Sequence, residues 1–211
     1  MSHGRLVLTR HGESEFNAKS LWTGTWDIPL TEKGRGQATQ MGETLADLKP
    51  QVGFSSALIR AQDTLKLILA ANHWDIPVHH SHFLNERDYG DLSGLNKDDA
   101  RKKWGEEQVL VWRRSYNEPV PGGETLKDVY ARALPYFEEH VLPLLAAGQT
   151  VILTAHGNTL RALIKHFDGI DDNGVEDLEV SFGQLILYDF DSSGQPSNKT
   201  IRQIETTPTR A

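Results

Sequence analysis

Two short stretches of the sequence match each other. Residues 6–14 read LVLTRHGES and residues 151–159 read VILTAHGNT. Each is an apolar run followed by Thr-x-His-Gly, then a polar residue and a hydroxyl residue. If both runs are parallel, central strands, His11 and His156 leave the sheet on the same edge and face one another. Gly12 and Gly157 allow a sharp turn that brings backbone N–H groups towards a ligand. Arg10 adds a fixed positive charge beside the first imidazole. These are parts for covalent phosphoryl transfer: a neutral imidazole nitrogen attacks phosphorus while Arg and a second His spread the charge on the equatorial oxygens. The sequence has neither a Gly-x-x-x-x-Gly-Lys loop nor a run of acidic metal ligands, so nucleotide-dependent and two-metal transfer have no support.

The elements that must position these histidines follow from period and punctuation. Residues 6–9 and 150–154 read as buried strands, as does the short run around Phe54. Residues 31–48 place Ala38, Met41, Leu45 and Leu48 at helical spacing, ended by Lys49-Pro50. Further helices are expected over 57–70, 97–104, 106–114 and 158–167, and a longer one over 125–145, bent by Pro135 or Pro143. Weaker strands are expected at 77–80, 185–189 and 201–204. Strands alternating with helices predict an α/β fold of three layers, a mostly parallel central sheet with helices on both faces. Ligands of such folds collect at the carboxyl ends of the strands.

Composition narrows the chemistry. The 211 residues show no linker or low-complexity break, so a single domain over 1–211 is expected. Cys is absent, which removes disulfides, thiolate metal sites and cysteine nucleophiles. A net charge of −7 makes the surface a poor match for nucleic acid, so any anion must be held by a local cluster of Arg and Lys. The opening MSHGRLVLTR lacks a signal peptide's apolar run, and no stretch approaches membrane-spanning length. The expectation is a cytoplasmic protein. His79, His80 and His82 crowd one segment without carboxylates at ligand spacing, so no metal is expected there. The tryptophans lack the basic interleaving of a stacking platform; Trp22 and Trp26 flank Thr23-Gly24 as candidate site walls.

At residues 10–17, Arg-His-Gly-Glu-Ser-Glu-x-Asn, the chain resembles the histidine phosphatase superfamily. The run LNERDYGDLSGLNK over residues 84–97 is similar to the cofactor-dependent phosphoglycerate mutases almost residue for residue. Thr23-Gly24, Arg60, the pair Arg113-Arg114 and the run AHGNTLRA over residues 155–162 extend the resemblance. It implies exchange of 3-phosphoglycerate and 2-phosphoglycerate through a phosphohistidine, with 2,3-bisphosphoglycerate as primer and no metal. His11 would carry the phosphoryl group, Glu86 would serve as acid and base, and Arg10, Arg60 and His156 would surround the transferring group. Asn17 and the amides near Gly157 and Asn158 would complete that cradle. Thr23, Gly24 and Tyr89 would hold the middle of the substrate and Lys97, Arg113 and Arg114 its far anionic end, with Arg87 a further substrate-binding residue. Small phosphoglycerates are the implied partners, with no nucleic acid or membrane; a homo-oligomer stays open.

Outside that motif, Glu86 reads more readily as a surface ion pair with Arg87, and Arg113-Arg114 as a solvated helix face. A histidine-type phosphatase of small phosphomonoesters and a non-catalytic phosphate binder are the rival readings. Tyr89, Lys97 and the Arg pair oppose the first; an intact His11, Glu86 and His156 oppose the second. Three departures stand out. The segment from Tyr116 to Gly122 is short beside the longer mutases, residues 205–211 make a brief tail, and Phe182 stands where a small hydroxyl residue is more usual before Gly183. A shortened loop predicts easier access of water to phospho-His11.

Overall fold

The structure, a computed structural model, describes residues 4–205. Residues 206–211 of the brief tail therefore lie outside the described residues. In chain order the elements are β1 (Gly4–Arg10), α1 (Glu15–Ala18), α2 (Glu32–Thr44), β2 (Val52–Ser56), α3 (Ile59–Ala71) and β3 (Val78–Ser81). They continue with α4 (Lys97–Trp104), α5 (Glu106–Arg114), α6 (Leu126–His140), α7 (Leu142–Ala146), β4 (Thr150–Ala155), α8 (Gly157–Phe167), β5 (Gln184–Phe190) and β6 (Pro196–Gln203). The six strands form one sheet in the order β3-β2-β4-β1-β5-β6. β3, β2, β4 and β1 are parallel, and β5 and β6 add two antiparallel pairings at one edge.

Both faces of the sheet are apolar, which is why the central strands read as continuous hydrophobic runs. Leu6 and Leu8 of β1 and Val151 and Leu153 of β4 pack with Phe137, Leu145, Leu160 and Leu163 from α6–α8. Val7 and Ile152, one residue out of phase, pack on the other face with Met41 of α2, Leu45 just after it, and Leu65 and Ile68 of α3. The chain therefore leaves β1 for the α2 face and leaves its neighbour β4 for the α8 face. That divergence opens a crevice at the carboxyl ends of the two strands, where ligands bind in such folds. A smaller cluster of Trp22, Leu92, Ala100, Val109 and Trp112 seats α4 and α5 over the crevice.

Three elements differ from expectation. α2 ends at Thr44, with residues 45–48 wound as i→i+3 turns (Leu48 N–H to the Leu45 carbonyl, 2.8 Å), so the apolar period outlasts the helix. The expected bent helix over 125–145 is two helices joined at Val141. Pro143 sits in the first turn of the second, where its missing N–H leaves no bond unmade, and Pro135 stays inside the first. The last strand starts at Pro196 rather than 201, because the pairing with β5 recruits exposed polar residues that carry no hydrophobic signal.

The loop after β1 is pinned by close backbone contact with α2. A Cβ on Gly34 would lie 2.1 Å from the Glu13 carbonyl oxygen, and one on Gly12 would lie 2.3 Å from that of Gly34. The first turn of α2 thus rests, at Gly34, directly on Gly12 and Glu13, which follow His11. Gly36, also in α2, is exposed and meets nothing within 4 Å. The two glycines should respond oppositely to the same substitution. Gly36→Ala is expected to stabilise the fold by about 0.5–1 kcal/mol through helix propensity, and Gly34→Ala to destabilise it by about 1–3 kcal/mol through overpacking. Denaturant unfolding of both variants checks the contrast.

Candidate active site

The β1–β4 pairing sets the site. Arg10 is paired with Ala155, and the His11 N–H donates to the Ala155 carbonyl at 3.0 Å, so both histidines follow directly on one edge. Their ring centroids lie 5.0 Å apart. Both are buried. His11 Nδ1 lies 2.6 Å from the Gly12 carbonyl oxygen, which can only accept; Nδ1 carries the proton and Nε2 keeps its lone pair. Burial, then the charges of Arg60 and Arg10, hold the His11 pKa well below its usual 6.5. Burial, Arg60 and His11 do the same for His156. Both imidazoles are therefore neutral at pH 7, the state a nitrogen nucleophile requires.

His156 Nε2 lies 2.7 Å from the Ser56 hydroxyl, which also accepts the Leu58 N–H at 3.2 Å. His156 Nε2 is the acceptor the structure offers that hydroxyl's proton; with the bond made in this direction, the His156 proton sits on Nδ1. That atom is buried and has no hydrogen-bond partner within the protein. In this arrangement Ser56 sets His156 as a donor through Nδ1. Sequence reasoning missed Ser56, although a hydroxyl at the carboxyl end of β2, beside β4, was findable by the strand-end rule.

Arg10, His11, Asn17, Thr23, Gly24, Arg60, Glu86, Tyr89, Lys97, Arg113, Arg114, Gly157 and Asn158 all line one open cleft. Leu21, Trp22, Arg161, Glu179 and Val180 also line it; only Trp22 was anticipated. Arg161 lay within the matched run at residues 155–162, whereas Glu179 and Val180 have no local signal. Trp26 is half exposed and is not part of the wall.

The guanidinium groups are only partly engaged by the protein. Arg60 donates to the Trp26 and Gly24 carbonyls at 2.7 and 2.8 Å, while its Nε has no partner. Burial lowers its pKa to about 10, and it stays charged. Arg10 donates to the Val180 carbonyl at 2.9 Å, and its Nε is likewise unpartnered. Thr23 Oγ1, Trp22 Nε1 and Arg161 Nε are further buried groups of the cleft without a hydrogen-bond partner. Lys97, at the start of α4, is pushed down to about 8, first by burial and then by Arg113 and Arg10. Such crowding of like charge is relieved by an anion.

Glu86 is buried and its Oε1 is held by three donors: the Arg87 N–H at 2.8 Å and the Asn158 N–H and Nδ2 at 3.2 Å each. Oε2 remains for the cleft. Asn158 also donates to the Tyr89 hydroxyl at 2.8 Å, and its Oδ1 accepts from Arg161, whose other donors cap the Arg113 and Arg114 carbonyls at the end of α5. Arg132 clamps the same segment from behind, donating to the carbonyls of Phe83, Asn85 and Glu86.

Two expected site residues do not line the cleft. His156 stands behind its wall against His11. Arg87 requires a correction: it is fully buried, and its guanidinium is engaged by the carbonyls of Glu124, Trp112 and Glu118. Its role is to join the Glu86 segment to the end of α5, and it does not reach the cleft to bind substrate. Nor does it form a surface ion pair with Glu86, since the contact between them is through the backbone N–H. The histidines at 79 and 80 are exposed on the edge strand β3, and among the described residues no three metal-ligating side chains are grouped to hold a metal.

The chain belongs to the histidine phosphatase superfamily (branch 1), whose profile matches residues 6–201. Among its relatives is the 2,3-bisphosphoglycerate-dependent phosphoglycerate mutase of Beijerinckia indica subsp. indica, 49% identical over 202 residues, covering 94% of this chain and 98% of that protein. The enzyme of the same name from Bradyrhizobium sp. (strain BTAi1) is 53% identical over 191 residues, covering 89% of this chain and 92% of its own. Among solved structures, a mycobacterial glucosyl-3-phosphoglycerate phosphatase superposes with a TM-score of 0.79 at 26% identity, covering 94% of this chain and 97% of that one.

Two results are expected. Because the folded pKa values of His11 and His156 are depressed, the unfolded chain binds protons below pH 6.5 that the folded site resists. Stability should fall as pH drops through 6.5, and less steeply in a His11→Gln, His156→Gln double variant; denaturant midpoints between pH 8 and 5 read this. Ser56→Ala frees the His156 tautomer and should lower kcat about tenfold, less than the loss of a direct donor, with KM nearly unchanged.

Proposed function

We propose that this chain is a 2,3-bisphosphoglycerate-dependent phosphoglycerate mutase, working as one domain on 3-phosphoglycerate and 2-phosphoglycerate in glycolysis and gluconeogenesis. The observation that carries the reading is one cleft lined by two groups of cations. Arg10 and Arg60 stand with His11, which is backed by His156, and Lys97, Arg113 and Arg114 make the second group. Hydrolysis of a phosphomonoester needs only the first. The mutase names of relatives near 49% identity support the same reading over the phosphatase name at 26%. Such substrates place the enzyme in the cytoplasm.

His11 Nε2 is the nucleophile, because its Nδ1 proton is tied to the Gly12 carbonyl. Arg10 and Arg60 through their unpartnered Nε groups, and His156 through Nδ1–H, oppose charge on the phosphoryl oxygens in transfer. Glu86 takes the proton of the accepting substrate hydroxyl as phospho-His11 gives up its group, and returns it in the second half of the cycle. Its three donors on Oε1 leave Oε2 to do this. Tyr89 and Thr23 hold the carbon chain between the two ends, and Asn17, its Oδ1 engaged by Ser14, offers the amide hydrogens of Nδ2.

The primer fits the same residues. Buried donors without protein partners at one end and a lysine with a lowered pKa at the other are what a doubly phosphorylated acid would satisfy. 2,3-Bisphosphoglycerate, when bound there, supplies the first phosphoryl group for His11.

Phosphorus NMR of the protein with 3-phosphoglycerate, with and without a trace of 2,3-bisphosphoglycerate, tests the reading. The 2-phosphoglycerate signal should grow, faster with the trace, and be absent for His11→Ala. Growth of inorganic phosphate alone would give the site to the phosphatase reading.

A further inference from the structure

Phe182 has no part in the mechanism above and does not line the cleft. Yet its ring is in contact with the catalytic centre. The Arg10 guanidinium carbon lies over the ring, 3.9 Å from its centroid, and the Phe182 and His11 rings meet edge to face with centroids 6.0 Å apart and planes 69° from parallel. His156 covers His11 from another side at 5.0 Å. The ring is held from outside the site. The Phe182 carbonyl accepts from Gln203 Nε2 at 3.0 Å, and Gly183 takes a φ of +73° in the turn that leads into β5. Phe182 itself is half-buried, so its ring has the nucleophile on one side and solvent on the other.

Two consequences follow from this packing. Arg10 has one nitrogen on the Val180 carbonyl and one face on an aromatic ring, so its guanidinium cannot turn away from the phosphoryl site. An ordered water needs two or more polar partners and room of its own, and an apolar ring provides neither.

We propose that Phe182 is a specificity-determining residue: it closes the flank of Arg10 and His11 to water, so that the phosphoryl group on His11 passes to a substrate hydroxyl and not to water. This rests on the mutase reading. The competing reaction is hydrolysis. A water oxygen bonds to phosphorus as the Nε2–P bond breaks, the electron pair returns to the ring, the water's proton passes to Glu86, and inorganic phosphate leaves. Transfer differs only in whose oxygen attacks, so excluding water from one flank alters the partition without touching either catalytic group.

The test measures both outcomes in the same preparations of wild type, Phe182→Ser and Phe182→Leu. Each is phosphorylated with 2,3-bisphosphoglycerate, and inorganic phosphate release is divided by 2-phosphoglycerate formation from 3-phosphoglycerate. The ratio does not depend on how much of a variant is folded. Phe182→Ser, which offers a hydroxyl and a gap, should raise it about tenfold or more, and Phe182→Leu, which keeps an apolar cover, should stay within about twofold of wild type. A ratio unmoved by Ser, or raised as much by Leu as by Ser, overturns the proposal while wild-type mutase turnover leaves the functional reading intact. Wild type that releases phosphate and forms no 2-phosphoglycerate overturns both, and is recognised without any variant.

Discussion

The parallel pairing of β1 with β4 is the constraint on which the rest depends. Its register sets Arg10 against Ala155, so the residues after each, His11 and His156, must emerge side by side. A shift of one residue would turn every side chain of one strand to the opposite face, and the two apolar layers forbid it. The site's geometry is thus fixed by core packing several ångströms below it. The divergent exits towards α2 and α8 then supply the space between the histidines and solvent.

Onto that edge the fold brings more positive charge than its partners neutralise. Arg10, Arg60, Arg113 and Arg161 are all shifted down, burial being the largest cause in each case. Burying such charges is costly unless they are hydrogen-bonded, and backbone carbonyls meet most of that need. Arg60 rests on the Gly24 and Trp26 carbonyls, Arg161 on the end of α5 and on Val175, and Arg87 on Trp112 of α5 and the loop carbonyls of Glu118 and Glu124. These side chains are both structural ties and field sources. Phosphate-sized anions are drawn to one place in a molecule whose net charge is −7.

Much of this was legible in the sequence, for reasons that can be named. The matching strand ends carried the two histidines because buried parallel strands are written as unbroken apolar runs. The helices at 97–104 and 106–114 were legible to the residue because Asn96 and Gly105 mark their starts. Arg87 was misplaced because a charged residue beside Glu86 looks the same in sequence whether it faces a substrate or a set of carbonyls. Ser56 and Phe182 were not assigned a role, since the histidine each meets is 100 positions away for Ser56 and 171 for Phe182, and only the fold brings them together. The polar half of β6 was invisible because an edge strand on solvent has no hydrophobic period.

The account turns on a division of labour between two buried, neutral imidazoles, and the position of the phosphoryl group tests it most directly. The protein would be mixed with phosphorus-labelled 2,3-bisphosphoglycerate, quenched in alkali, and the phosphohistidine located by peptide mapping and its ring position by nitrogen–phosphorus coupling. The account predicts one label, on Nε2 of His11, because Nδ1 is tied to Gly12 and His156 is set as a donor. Label on His156, or on Nδ1 of His11, would contradict it.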